Sequence, residues 1–264
     1  MIAAIRLSKS QIDKYQDCAR CFWLKQRHKF DQPEMISSKV WKGIERITTA
    51  HYESHRLAKT TPMNLVGQVP AGAIPYQADR IDMKSLRYWG KGLAFVVDGV
   101  TVTTALDDML ERPPKGAMPK VYNVIDYKSK SKATDAEATA DLYENQADVF
   151  DLAANVNGYP TDGVVYFDYW YPIAVHGEEE TNPKLEGDHG KTHQVWGSQV
   201  VALKADHARC KKLVLAAAAC LDSALPEPPT NAKGNISCAV CAYVADRAEL
   251  IRDMDPTNPL KAAA

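Results

Sequence analysis

The 264-residue sequence lacks an excess of charge of either sign: 32 lysines and arginines nearly balance 33 aspartates and glutamates, and the formal net charge is −1. A basic field over the whole protein, which would indicate a nucleic-acid partner, is therefore excluded. A protein of this composition that cuts nucleic acid must place a local cluster of lysine and arginine against the phosphates. The remaining composition, 45% hydrophobic and 25% charged, is ordinary for a globular protein.

The sequence also lacks any apolar run that approaches the roughly 18 residues of a membrane span. Its first residues, MIAAIRLSKSQ, are too short and too charged to predict a secretory signal peptide. We therefore expect an intracellular, cytoplasmic protein with no membrane partner. A chain of this length suits one large domain, with or without an appendage. We expect one domain over residues 1–252, followed by a disordered tail over 253–264.

Cysteine is scarce, with six residues in the chain, and in an intracellular protein such residues indicate metal ligation or thiols before disulfides. Four of them form two C-x-x-C motifs, Cys18 with Cys21 and Cys238 with Cys241. The two pairs together offer the four thiolates of a tetrahedral zinc site or an iron–sulfur cluster. Such a site would close a very long loop and hold the two end segments together. Because the pairs are far apart in sequence, four unrelated thiols are the alternative.

The stretch over residues 122–130, YNVIDYKSK, predicts a strand that ends in an acid and a base. Asp126 and Lys128 are two residues apart, so they project from the same face of a strand. A second strand-like run, VTVTTALDDML, carries Asp107 and Asp108 near its end. Carboxylates are the ligands that Mg²⁺ prefers, and a neighbouring lysine can orient water or stabilise charge on a phosphate. The pattern predicts a metal-dependent phosphodiesterase, and the alternative for D-x-K alone is a surface ion pair.

Two helical patterns precede these strands. The first covers Leu7 to Arg27, and Ser8 with Gln11 three residues later predicts a capping box at its start. The second covers Ser37 to Lys59 and carries Glu45 beside its buried face. Glu45 is either a surface acid or a third metal ligand from a helix that packs on the sheet. A short helix is expected over residues 80–89.

The strand patterns predict a sheet of mixed direction. Runs at 93–97, 100–110 and 121–128 follow one another closely, which favours an antiparallel meander. A helix over 142–156 is followed by a strand over 163–171 that is apolar except at Asp168, and this order predicts a crossover to a parallel neighbour. A loop over 178–192, a strand over 196–203 and a helix over 206–221 complete the series.

The helix over 142–156 carries Tyr143, Gln146 and Phe150 on one face, at positions i, i+3 and i+7. An amide on an otherwise apolar face is either a buried group with satisfied hydrogen bonds or a donor to a phosphate or a metal-bound water. This helix is therefore a candidate to contribute Gln146 and Tyr143 to a substrate site.

The order of these motifs resembles the PD-(D/E)XK nuclease superfamily in its RecB-type branch. The matching segments are LSKSQIDKYQDCARCFWL, the helix with Glu45, TALDDML, VIDYKSK, YENQADVF with NGY, and CAVCAY, which together span about residues 7–245. That branch includes the nuclease domains of bacterial recombination helicases and the small exonucleases of CRISPR adaptation. The resemblance implies an α/β fold with a mixed central sheet flanked by helices, in a restriction-endonuclease-like core. It also implies divalent-metal cleavage of DNA phosphodiester bonds.

Carried over residue by residue, the resemblance gives four catalytic candidates. Asp107 matches the metal-binding aspartate of the second motif, and Asp126 and Lys128 match the acid and lysine of (D/E)-x-K. Gln146 matches the glutamine of Q-x-x-x-Y, with Phe150 where the tyrosine is usual.

The resemblance leaves the third metal ligand and the cysteine cofactor open. Glu45 is the best substitute for the histidine that the family often carries on its N-terminal helix, and the Tyr127 carbonyl is expected to complete the Mg²⁺ or Mn²⁺ site. Related nucleases often hold a four-iron cluster with one N-terminal and three C-terminal cysteines. Here the arrangement is two plus two, so an iron–sulfur cluster and Zn²⁺ are both open.

We therefore expect an exonuclease-like Mg²⁺- or Mn²⁺-dependent deoxyribonuclease that acts on single-stranded DNA or free DNA ends. Its role would lie in DNA repair, recombination or the processing of phage and mobile-element DNA. The rival is a catalytically inactive DNA-binding or assembly protein on a nuclease scaffold. A third possibility is a structural zinc protein, in which Asp107, Asp126 and Lys128 do not meet.

Overall fold

The computed structural model describes residues 5–30, 39–88, 90–114, 119–130, 132–173 and 196–254. The predicted loop over 178–192 lies outside the described residues. So does the predicted tail, apart from its first two residues, which end the last helix.

The described residues form a mixed α/β structure. Its helices are α1 (Lys9–Asp17), α2 (Ala19–His28), α3 (Lys39–Ala58), α4 (Met83–Arg87), α5 (Ala136–Val156), α6 (His207–Asp222) and α7 (Ala239–Met254), with a short 3₁₀ turn at Met63–Leu65. Its strands are β1 (Arg6–Ser8), β2 (Ile74–Pro75), β3 (Leu93–Val97), β4 (Val100–Thr104), β5 (Asp108–Arg112), β6 (Val121–Ser129), β7 (Val164–Pro172) and β8 (Trp196–Lys204).

The larger sheet has five strands in the order β2-β5-β6-β7-β8. β6 and β7 are parallel, and the other neighbours are antiparallel. The connection between β6 and β7 runs through α5, which confirms the predicted crossover and the mixed α/β class with helices beside a mixed sheet. The restriction-endonuclease-like arrangement stays a prediction.

Helices α3 and α5 pack on opposite faces of this sheet, because alternate residues of a strand project to opposite sides. Ile125 and Tyr127 of β6 pack with Tyr52 of α3. Asp126, between them in sequence, points the other way and bonds Gln146 of α5. One face of β6 therefore packs apolar side chains against α3, and its other face directs Asp126 towards α5.

The predicted meander is wrong at its second strand, which is two strands in different sheets. β4 ends at Thr104 and lies in a three-stranded sheet of order β1-β4-β3, whereas β5 begins at Asp108 and pairs with β6. Between them the backbone bonds to α4 instead of a strand: Leu106 N donates to Leu86 O at 3.0 Å, and Arg87 Nε donates to Asp107 O at 2.6 Å. These bonds turn the chain from one sheet into the other.

The single N-terminal helix predicted over Leu7 to Arg27 is also wrong, because it breaks at Cys18. This residue has an extended backbone, with φ −164° and ψ 102°, and separates α1 from α2. The capping box is confirmed: Gln11 N donates to Ser8 Oγ at 3.3 Å, and Ser8 N donates to Gln11 Oε1 at 2.6 Å. The cost of the break is offset at Cys18 by a new cap, since its sulfur accepts from the Cys21 amide.

Most remaining helix and strand predictions are confirmed, with shifted ends. The predicted helix over 142–156 begins earlier, at Ala136, because Asp135 caps it by accepting from Ala138 N at 2.7 Å. The helix predicted over residues 80–89 is shorter, from Met83 to Arg87. Helix α3, strands β7 and β8 and helix α6 occupy the predicted regions.

The chain divides into two compact units. The first unit comprises Met1–Met35, Val97–Thr101 and Lys211–Ala264, and the second comprises Ile36–Val96 and Val102–Cys210. The second unit contains the five-stranded sheet with α3 and α5. That the whole chain acts as one domain stays a prediction.

Candidate functional site

The predicted acid and base of β6 meet in the second unit. Lys128 Nζ lies 2.5 Å from Asp126 Oδ2, as expected for side chains two residues apart on one strand. Gln146 of α5 bridges them: its Nε2 donates to Asp126 Oδ1 at 3.0 Å, and its Oε1 accepts from Lys128 Nζ at 3.2 Å. The two bonds use both ends of the Gln146 amide, so its orientation is defined by the acid and the base together.

Asp107 joins this pair from the neighbouring strand. The antiparallel register pairs Asp108 with Ile125, and one residue before it Asp107 accepts from Tyr127 N at 2.9 Å. Burial and the adjacent Asp126 charge raise the pKa of Asp107 from 3.8 to about 8, against the Tyr127 amide and Lys128, which lower it. The carboxyl groups of Asp107 and Asp126 thus lie together in a largely buried site. At neutral pH Asp107 holds a proton unless a cation takes the place of that proton.

Lys128 lies against aromatic rings. Its Nζ lies 4.3 Å from the centre of the Tyr143 ring and 5.7 Å from that of Phe167, and these two rings stack on each other. Burial lowers the pKa of Lys128, but the charge and hydrogen bond of Asp126, together with Tyr143 and Asp107, raise the pKa overall. Lys128 is therefore an ammonium ion at neutral pH, able to donate a hydrogen bond but not to remove a proton.

Glu45 does not join this group. It is exposed on α3, in a surface depression that Lys42 and Arg46 also line. Within the described ranges, no third carboxylate or imidazole stands close enough to Asp107 and Asp126 to share a metal ion with both. The described ligand set is therefore two carboxylates, together with the predicted Tyr127 carbonyl.

Asp108, next to Asp107, belongs to a different cluster on the α3 face. It is fully buried, and Arg56 Nη2 lies 2.7 Å from each of its carboxylate oxygens. Arg87 Nη2 at 2.8 Å, Tyr127 Oη at 2.7 Å and Met109 N at 2.7 Å also donate to it. Strand alternation is the signal that separates the two acids, because adjacent residues face opposite sides of the sheet.

Asp168 forms a second buried network on the α3 face, which the sequence pattern does not predict. Its oxygens accept from Tyr52 Oη at 2.8 Å, Asn64 Nδ2 at 2.9 Å, Trp170 Nε1 at 2.8 Å and Ser198 Oγ at 2.7 Å. Burial raises the pKa of Asp168, and these donors offset part of the rise. The available signal is a lone acid in the apolar strand GVVYFDYWY, which indicates a buried group with several donors.

The two C-x-x-C motifs meet in the first unit. Cys18 Sγ lies 3.6 Å from Cys241 Sγ, and Cys21 Sγ lies 3.6 Å from Cys241 Sγ and 3.7 Å from Cys238 Sγ. All four sulfurs lie within 4.8 Å of one another, and none of the chain's six cysteines forms a disulfide. The end segments are therefore packed together as predicted, and the four thiols can hold a metal.

No protein-family model matches this chain, and no curated protein matches it. In the described ranges, no helix has both the length and the apolar character needed to cross a membrane. The features of this chain that bear on its function are therefore the geometry of the acidic cluster and that of the cysteine cluster.

Proposed function

We propose that the second unit is a Mg²⁺- or Mn²⁺-dependent, exonuclease-like deoxyribonuclease with a PD-(D/E)XK core. The observation that supports this proposal most is the convergence of Asp107, Asp126 and Lys128 on one face of the sheet, with Gln146 between acid and base. A surface ion pair would not need a second carboxyl beside it, and the pair of acids is costly unless a cation neutralises it.

The donor set suits a hard divalent cation. Asp126 is 4% exposed, and its Oδ2 atom accepts no aligned hydrogen bond from the described residues, although Lys128 Nζ lies beside it. Asp107, Asp126 and the Tyr127 carbonyl would hold the ion through oxygen, the ligand that Mg²⁺ prefers. A bound ion would shield the phosphate charge and lower the pKa of a water molecule.

Lys128 would act as a fixed positive charge. Asp126, Gln146 and the Tyr143 ring determine where its ammonium group lies. There it can orient the attacking water or stabilise the negative charge that develops on the phosphate in the transition state. Because Lys128 stays protonated, another group must accept the proton of the attacking water.

Lysines close to the acids in sequence provide local positive charge that the chain as a whole, with a net charge of −1, does not. Lys130 and Lys132 follow β6 directly, and Lys130 Nζ lies 4.9 Å from the centre of the Tyr169 ring. Lysines that follow the strand carrying the catalytic candidates are suited to contact the DNA backbone. These lysines support a DNA substrate even though the net charge of the chain is −1.

The proposal is tested by incubating end-labelled linear DNA, single-stranded and duplex, with the full chain in Mg²⁺ or Mn²⁺. The wild type should degrade linear DNA from its ends and leave circular single-stranded DNA intact. Asp126→Ala and Lys128→Ala should fold normally and lose at least about 100-fold in rate, as expected when a charge-stabilising group is removed. Lys84→Ala is the control, because it removes an exposed lysine of α4 that has no part in the proposed site.

Two outcomes would replace the proposal. Cleavage at the wild-type rate by both Asp126→Ala and Lys128→Ala would place the chemistry elsewhere. DNA binding without turnover in either metal would instead support the inactive DNA-binding or assembly protein.

The cysteine cluster is proposed as a structural metal site of the first unit. The side chains packed against it, Ile236 and Val240, are apolar and offer no acid or base. A metal there would join segments more than 200 residues apart, such as Cys18 and Cys241.

A further inference from the structure

The spacing of the four cysteine sulfurs determines how many metal ions can fit between them. In a tetrahedral site with metal–sulfur bonds of about 2.3 Å, neighbouring sulfurs lie about 3.8 Å apart. Three of the six sulfur–sulfur separations here are 3.6, 3.6 and 3.7 Å, and all six are within 4.8 Å. The sulfurs therefore already have the spacing of a site for a single ion.

A multi-iron cluster does not fit the same arrangement. In a four-iron cluster each thiolate binds a different iron, and the irons and inorganic sulfides separate the thiolates from one another. The four sulfurs here lie within 4.8 Å of one another, three pairs of them near contact distance, which leaves no volume for bridging sulfide. The sulfur separations thus disagree with the four-iron cluster that related nucleases often hold.

The backbone around both motifs is built alike. Cys18 caps the start of α2, where its sulfur accepts from Cys21 N at 3.4 Å, and Cys238 immediately precedes α7. Each motif thus places one cysteine at a helix start and the other in the first turn. Helix N-termini carry partial positive charge and free amide donors. Two such N-termini stabilise the net negative charge that four thiolates retain around a divalent ion.

The loop before Cys238 is also shaped for ligation. Asn231 N donates to Asn235 O at 2.8 Å, and Ser237 N donates to Pro229 O at 2.8 Å, which folds residues 229–237 into a tight hairpin. Gly234 in this turn has φ +79°, a conformation that side chains disfavour. The hairpin leads directly into Cys238, as a rigid support for a metal ligand requires.

We propose that Cys18, Cys21, Cys238 and Cys241 bind one zinc ion in a tetrahedral site, in place of an iron–sulfur cluster. Zinc is chosen over a single iron ion because both fit the geometry but Zn²⁺ binds such ligands more tightly than Fe²⁺. The inference is independent of the proposed nuclease activity, since it concerns a separate set of ligands.

The test is metal analysis of the full chain, purified without oxygen from cells supplied with both iron and zinc. We expect about one zinc per chain and no acid-labile sulfide. Titration of the wild-type thiols with a mercurial reagent should release that zinc as four thiols react. Exchange with cobalt should give the intense absorption of tetrahedral cobalt thiolate.

Variants locate the ion. Cys18→Ser and Cys241→Ser should lose the bound zinc, whereas Cys220→Ser, a cysteine outside the cluster, should retain it. If the first two variants fail to fold, the mercurial titration of the wild type still decides the question. Iron with sulfide, a single bound iron, or no bound metal would each overturn the proposal.

Discussion

The acidic cluster is built from residues that are close in sequence, whereas the cysteine cluster is built from residues near opposite ends of the chain. The acids, the lysine and the glutamine come from residues 107–146, on two paired strands and the next helix. The four cysteines come from two segments near opposite ends of the chain, and only the fold brings them together. Strand period and register create the first site, whereas long-range packing creates the second.

The two sites also differ in ligand chemistry and in structural role. Carboxylate oxygens beside a lysine suit a hard ion that exchanges with solvent. Thiolates bind softer ions tightly, and a metal held by them would join two segments that are far apart in sequence. Loss of metal should therefore affect activity at the first site and folding at the second.

The largest expected effect is on the stability of the first unit. Cys241→Ser, or removal of the metal by a strong chelator, should cost several kcal/mol and up to about 10 kcal/mol. Asp107→Asn should leave the free energy of unfolding unchanged or higher, because a neutral amide replaces a carboxyl that burial and the Asp126 charge already disfavour in its ionised form. Thermal unfolding followed by hydrogen exchange of α2 and α7 measures this difference, and equal losses in both variants would remove the distinction between the two sites.

The next effect separates the adjacent acids Asp107 and Asp108. Asp108→Asn should cost about 3–5 kcal/mol, because it removes the fully buried anion that Arg56 and Arg87 share and leaves them only the more exposed Glu53. Asp107→Asn should abolish DNA cleavage and leave the free energy of unfolding unchanged or higher. Urea unfolding and cleavage assays of both variants test this. Lost stability in Asp107→Asn together with lost cleavage in Asp108→Asn would contradict the roles assigned to the two acids.

A smaller effect depends on pH. The folded-state pKa of Asp107, about 8, exceeds its unfolded value of 3.8, so the folded protein binds the extra proton between these values. Without metal, its contribution to stability is complete below about pH 4 and is lost as pH rises to about 8. Urea unfolding in a chelator should show this decline in the wild type relative to Asp107→Asn. Parallel profiles for the two proteins would contradict the pKa shift.

The smallest effect concerns the ring beside Lys128. Tyr143→Phe keeps the aromatic face and should cleave DNA at close to the wild-type rate. Tyr143→Leu removes the cation–π contact, worth about 0.5–2 kcal/mol, and should slow cleavage by roughly 3- to 30-fold. Steady-state kinetics should place the loss in kcat. A loss in KM alone, shared by Tyr143→Phe, would instead assign Tyr143 to substrate binding.

The parts of the acidic site that depend on side-chain alternation along a strand could be predicted from the sequence. The parts that depend on tertiary contacts could not. The period of β6 is enough to place Asp126 beside Lys128, and the crossover helix carries Gln146 back to them. The choice of Asp107 over Asp108 came from the family resemblance. The break at residues 105–107, which separates the two sheets, depends on bonds to α4 that no local pattern reveals.

Glu45 and the cysteines show two further limits of the sequence. Helical spacing puts Glu45 beside the buried face of α3, but the rotation of that helix leaves it exposed. For the cysteines, the C-x-x-C motifs predict thiolate ligands. They do not predict how many metal ions the four thiolates hold, because that number depends on the distances between the sulfurs. The break at Cys18 was hidden by a continuous helical pattern, since the N-cap role of a cysteine gives no distinctive signal.

The most direct test of the central claim, that Asp107 and Asp126 share a cation, is a count of bound Mn²⁺ by electron paramagnetic resonance. The wild type should bind one Mn²⁺ at this site, and Asp107→Asn and Asp126→Asn should each lose it while Glu45→Gln retains it. Undiminished Mn²⁺ binding by both aspartate variants would contradict the account.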